Sequence, residues 1–421
     1  MKSGLGFLIA ALHCEIEALE QLARTSELVG TIGRLVHALQ RERGISNVLL
    51  ASNGHRFADE HREQIAASQR MEAAVRQSFE QLAAQNRIGN GARLFSRIAW
   101  VLPGLGALPE LRRRIGALQI DAAESTAAFV KLIAGLLAVV FEAADGATDP
   151  EVSRVLVALF NFMQGKEFAG QERACGAAAF ASGRNDAARQ QQWLHLIDSQ
   201  ERCFRVFVSF SNEVLAEAWR ANQPSGQIAE LERLRRIACA APAGVALDPE
   251  LSPMWFDCCT QRIDAMQAVE ELLANHLRSV CQHKTAEVHD ELAEHEALRL
   301  KLPDESDPPG AAFFDSHAVP EPAGDAAPYG RQLERSILDM VQEQSHRLQA
   351  MSDELETVRS ALNERKVIER AKGLLMAHRR INEQEAHKML RQTAMNQGRR
   401  LIEVAESVLA MAELLPRNAA P

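Results

Sequence analysis

Two stretches, ERGISNVLLAS at residues 42–52 and ERACGAAAFAS at residues 172–182, can be laid over one another at an offset of 130 residues. Four positions match: Glu42 with Glu172, Arg43 with Arg173, Ala51 with Ala181 and Ser52 with Ser182. A repeat at that spacing predicts two similar helical bundles, each about four helices long. Leu35, Leu39, Glu42, Ile45 and Leu49 share one helix face, and so do Phe168, Glu172, Cys175 and Ala179. Each glutamate thus falls in an apolar stripe, where a carboxylate is tolerated only if it is paired and hydrogen-bonded.

The rest of residues 1–300 reads the same way. Apolar residues recur at spacings of three and four, with breaks expected at Gly89–Gly91, Pro103–Gly106, Gly146–Pro150, Asn222–Gly226 and Pro242–Pro253. Strand–helix alternation is missing, which argues against a receiver domain or a dinucleotide fold. Aromatic residues make up only 5% of the 421-residue chain, with a single Tyr, a poor basis for a β-sandwich or barrel. The fold class expected is all-α: two four-helix-bundle-like halves, then a coiled-coil segment and a small three-helix bundle.

Residues 303–330 hold six of the fifteen prolines and read as a linker that cannot sustain a helix. From Leu333 to Leu362 a seam of apolar residues alternates spacings of four and three, with one stutter at Gln344. That gives a coiled-coil-like helix over 331–362 and a possible homodimer through it, the competing reading being one long helix packed on its own domain. Residues 363–416 form a last compact unit. Asn382 and Glu385 have capping-box spacing, and Gly398 suits a helix stop. Residues 359–417 carry twelve Lys/Arg against seven Asp/Glu, so a basic end sits on a chain whose net charge is −9.

Seven scattered cysteines without a CxxC pair fit reduced thiols in a cytoplasmic protein. The longest apolar run, Leu132–Phe141, is too short to cross a bilayer, and the N-terminus has no cleavage-site pattern, so neither a membrane span nor a signal peptide is expected. Metal-ligand spacing, a nucleophile–His–Asp set and a glycine phosphate loop are all missing, so no enzyme activity, cofactor or metal is expected.

Two chemistries remain for the duplicated Glu-Arg. It can be a structural latch between helices, or an anion site in which Arg43, Arg173 or both face a small ligand. Guanidinium is always charged, planar and armed with paired N–H donors that match a planar oxyanion. Arg235 and Arg236 could add a third donor: Arg235 lies between Leu231 and Ala238 on the apolar side, and Arg236 nearer the flank. Small residues beside each arginine (Gly44, Ser46; Ala174, Gly176) allow close approach of a backbone or a ligand.

At these residues the chain resembles a known family. VHALQRERGISNVLLAS (36–52), GKEFAGQERACGAAAFASG (165–183) and WFDCCTQRIDAMQAVE (255–270) look like the NIT domain, an all-helical nitrate- and nitrite-sensing module. ERKVIERAKGLLMAHRRINEQEAHKMLRQTAMNQGRRLIEVAESVL (364–409) looks like an ANTAR domain, a three-helix RNA-binding antitermination module. In this order the two are similar to the nitrate-responsive antitermination regulators of nitrate-assimilation operons. The resemblance implies nitrate or nitrite as effector, held between the bundles by Arg43 and Arg173, with Arg236 or its neighbour Arg235 as a further donor. It also implies a leader mRNA with paired hairpins as partner, contacted through Lys372, Met376, Arg379, Arg391, Met395 and Arg399. Where the family ends the first helix of this module with Gly, this chain has Arg380. The alternative is a helical adaptor whose sensor half binds a protein and has no small-anion ligand.

Overall fold

The three-to-four spacing of apolar residues winds the described part of residues 4–301 into nine helices, and no strand occurs among the described residues. The structure is a computed structural model that describes residues 4–84, 91–145, 149–183, 187–240, 245–301 and, apart from 369, 377, 378, 380, 382 and 398, residues 367–414. Helices α1 (Gly4–Ala51), α2 (Ala58–Ala84), α3 (Gly91–Gly116) and α4 (Ala122–Asp145) form the first bundle. Helices α5 (Pro150–Ser182), α6 (Ala187–Phe210), α8 (Ser225–Ala240) and α9 (Leu251–Lys301) form the second, with the short α7 (Glu213–Ala221) against α9. The two copies of the repeat thus lie in the first helix of each bundle. Helix α1 packs along α9 and touches α5, which joins the halves.

Helix α5 is the hub. Asp149 caps it by accepting from the Val152 N–H at 2.9 Å, Pro150 suits its first turn, and it ends at Gly183, whose φ of 62° lies in the left-handed region. Its side chains from Val152 to Phe180 are buried on nearly all faces. At the far end, Leu5, Leu8 and Ile9 of α1 pack with Leu292 and Leu298 of α9, so these two helices run together beyond the bundles.

The break expected at Pro103–Gly106 does not occur: α3 runs through both Pro103 and Pro109. An interior proline costs roughly 3 kcal/mol, but Ile98, Val101, Leu105, Leu108 and Ile115 are all buried from one face of this helix. At about 1.5–3 kcal/mol for each such side chain, burial outweighs the two prolines. The chain turns instead at 117–121, where Leu118 takes φ 54°, and again between α1 and α2, where Asn53 and Phe57 have φ 49° and 63°. Helix α4 is also longer than its apolar run suggests: by length and composition its residues 122–143 could cross a membrane, yet half of that stretch is buried inside the bundle.

In the C-terminal unit, residues 370–376 are helical and precede α10 (Glu383–Gln397) and α11 (Leu401–Leu414). Ala371, Leu390, Ala394, Val404 and Ala405 make its small core. The Arg399 N–H donates to the Ala394 carbonyl at 3.0 Å, a bond that closes α10 where a stop was expected. The linker (303–330), the coiled-coil-like segment (331–362), Arg380 and Asn382 lie outside the described residues.

Candidate anion site

The repeated glutamates are latches. Glu42 is fully buried and receives a fork from Arg112 of α3, Nε to Oε1 at 2.8 Å and Nη2 to Oε2 at 3.0 Å. Glu172 receives the equivalent fork from Arg235 of α8, at 2.7 and 2.6 Å, and also accepts from Trp193 and Gln200. Burial alone pushes the Glu172 carboxyl up, but the Arg235 guanidinium beside it holds it below the usual carboxylate range. Each glutamate thus ties the first helix of its bundle to a later one. Arg235 is engaged by Glu172 and Glu232, and Arg236 is exposed with its Nε on the Glu232 carbonyl.

The repeated arginines do something else. Both are buried at the crossing of α1 and α5, at 0% and 3% exposure. Each crosses to the other helix over a glycine: a Cβ on Gly170 would stand 2.5 Å from the Arg43 Nη2, and one on Gly44 would stand 2.6 Å from the Arg173 Nη2. The small residue beside Arg43 therefore makes room for the other guanidinium, not for a backbone. Arg43 donates through its terminal edge to Glu167, Nη1 to Oε1 at 2.6 Å and Nη2 to Oε2 at 3.3 Å. Its Nε is buried with no hydrogen-bond partner among the described residues. Gln40 and Gln171 also donate to Glu167, and the Gln40 Oε1 is buried with no hydrogen-bond partner among the described residues.

Arg173 has no carboxylate partner among the described residues. It donates to the Thr260 hydroxyl and the Gln40 carbonyl, each at 3.0 Å, and lies 5.0 Å from the Phe256 ring centroid. Burial first, and the Arg43 charge next, lower its pKa to about 10. The crossing therefore holds two guanidinium charges against one hydrogen-bonded carboxylate, with the exposed Asp264 of α9 acting on Arg173 through its charge alone. Next to it the fully buried Lys166 pairs with Glu270 at 2.7 Å and donates to Gln267. Burial pushes the Glu270 carboxyl up despite that ammonium.

The residues expected to meet RNA are spread over the C-terminal unit. Arg379, Arg391, Met395 and Arg399 are exposed, Met376 is half-buried and Lys372 is buried. Arg399 also reaches Glu403 and Ser407. Arg391, Met395 and Arg399, with His387, line a cleft of about 520 Å³ whose other wall is Asp198 and Arg202 of α6. The basic face of α10 thus looks onto the second bundle. Arg112, Glu167 and Gln40 were not signalled by the sequence.

Residues 34–278 match the family described as "Nitrate and nitrite sensing", NIT, and residues 356–409 match the ANTAR domain. The chain belongs to the NIT family. It is 35% identical over 407 residues to the "Nitrate regulatory protein" of Klebsiella oxytoca, covering 96% of this chain and 94% of that one. It also resembles the solved structure of the NasR transcription antiterminator, with a TM-score of 0.61, 32% identity and coverage of 97% of this chain and 99% of that chain. This NIT–ANTAR protein is a nitrate-responsive antitermination regulator and not an enzyme.

Proposed function

We propose that one nitrate or nitrite ion binds where α1 crosses α5, on Arg43 and Arg173, and that this controls an RNA-binding face on the C-terminal unit. The observation that carries the ligand reading is Arg173: a buried guanidinium with no carboxylate, held beside a second guanidinium that has only one. A monoanion cancels the remaining charge, and the unpartnered Arg43 Nε offers it a donor. Nitrate is planar and weakly basic, so recognition needs directed N–H donors in a dry site and no proton transfer. Arg235 and Arg236 are not part of this proposal, because Glu172 holds the one and solvent the other.

Both guanidinium groups are closed off in this state, so an anion is admitted only as α1 and α5 shift against each other. Binding then favours the shifted state, and a coupling of about 1–3 kcal/mol is typical of such devices. On the output side, Arg379, Arg391 and Arg399 supply hydrogen bonds and phosphate contacts to paired hairpin loops of a leader transcript, with Met376 and Met395 as apolar contacts. Lys372, buried here, adds to that face only if the unit rearranges. Binding the hairpins prevents the terminator from forming. The protein acts in the cytoplasm, and residues 331–362 pair two copies.

The test is retention of a two-hairpin leader RNA by the purified full chain in potassium nitrate and in potassium chloride at equal ionic strength. RNA binding at least tenfold tighter in nitrate is expected. Equal affinity in both salts overturns the proposal.

A further inference from the structure

The relation between the two bundles breaks at one informative pair of positions. The 130-residue offset carries Gln40 onto Gly170, and the structure respects it: Arg173 donates to the Gln40 carbonyl while Arg43 lies over Gly170. The same offset carries His37 onto Glu167. Glu167 of α5 closes on Arg43. Its counterpart on α1, one turn before Gln40 and so on the side that Arg173 reaches, is a histidine. The His37 Nδ1 is buried with no hydrogen-bond partner among the described residues. Burial and then the charges of Lys166, Arg41 and Arg173 bring the His37 pKa down to about 3, which leaves the ring neutral at pH 7. The neighbouring ammonium does not alter the count, because Lys166 is paired with Glu270, and the Asp264 carboxylate that also acts on Arg173 stands exposed to solvent on α9.

We infer that positions 37 and 167 set the valence of the anion this protein accepts: Glu167 cancels one of the two guanidinium charges, and the neutral residue at 37 leaves the other for a single monovalent ion. This rests on the ligand reading above and adds a selection rule to it. A carboxylate at both positions would seal the crossing with its own side chains. A neutral group at both would leave two positive charges and pull an anion in harder. Neither residue needs to touch the ion, so both are positioning residues.

The experiment is calorimetric titration of the full chain with sodium nitrate at pH 7.5, ionic strength held with chloride, for the wild type, His37→Glu and Glu167→Gln. The wild type takes one nitrate per chain. His37→Glu weakens nitrate binding at least 30-fold, and Glu167→Gln tightens it at least tenfold. Circular dichroism identifies a variant that fails to fold. Should both fail, wild-type heats in Hepes and in Tris decide. Equal heats mean that no proton is taken up, as the rule requires of a His37 that stays neutral. Uptake of one proton per nitrate overturns it. Nitrate affinity within threefold of the wild type in a folded variant also overturns the rule and leaves the ligand reading standing, whereas no binding by the wild type overturns both.

Discussion

Replacing Arg173 by methionine separates a residue that holds the fold together from one that holds it ready for a ligand. The side-chain stem is kept and the charge is lost. The pKa of about 10 lies roughly 2.5 below the usual guanidinium value, which at about 1.36 kcal/mol per unit is a cost near 3 kcal/mol for keeping the charged form buried. The sign is that of a depressed base: the cost is fully present below pH 10, where folded and unfolded chains are both protonated, and is relieved as pH rises from there towards the unfolded value. Against it stand the bonds to Thr260 and the Gln40 carbonyl, about 0.5–1.5 kcal/mol each. The balance is a gain of about 1 kcal/mol for the unliganded variant, where loss of an ordinary buried ion-pair member would cost about 3–5 kcal/mol. Urea unfolding in chloride and in nitrate measures it. The wild type should gain about 2.7 kcal/mol at a nitrate concentration 100 times the Kd, and the variant nothing. A variant more than about 1 kcal/mol less stable in chloride, or still stabilised by nitrate, refutes the reasoning.

Three further outcomes follow from the same geometry. Nitrate affinity, measured by titration between pH 7 and 11, should be flat to about pH 9 and fall above pH 10 as Arg173 loses its proton. Glu42→Gln removes the buried partner of Arg112 and should lower stability by about 3–5 kcal/mol in thermal unfolding; a loss under about 1 kcal/mol would mean that Glu72 suffices as its partner. Arg379→Ala and Arg391→Ala should each weaken leader-RNA binding, and a contact to phosphate shows as a salt slope reduced by about one, read from filter binding at several salt concentrations. An unchanged slope and affinity would remove that arginine from the face.

Much of the sensor is legible in the sequence because a repeated charge in an apolar stripe can have few explanations. Glu42 and Glu172 stand out for that reason, and their need for buried partners is met by Arg112 and Arg235. Arg112 itself is hidden in the run Arg112–Arg114, which reads as a solvated charge cluster until the packing of α3 singles out one member. Glu167 is hidden for a different reason: its partner Arg43 lies 124 residues away, and only the crossing of α1 and α5 brings them together. Helical register already placed Arg235 on the apolar side and Arg236 at the flank, and the structure agrees by burying the first and exposing the second. Proline positions misled the reading of α3, since local propensity cannot weigh what a helix buries.

Helix α9 begins near the arginine crossing, where Thr260 accepts from Arg173, and runs without interruption to Lys301. At about 1.5 Å per residue the stretch from Thr260 to Lys301 is a rod roughly 60 Å long. A tilt of some 5° at its sensing end, too small to disturb most side-chain packing, would sweep the other end through about 5 Å. In sequence, the linker and the RNA-binding unit follow from that far end. With an ion bound at the proposed site, the length of one helix would turn a displacement the size of that ion into one the size of a helical turn.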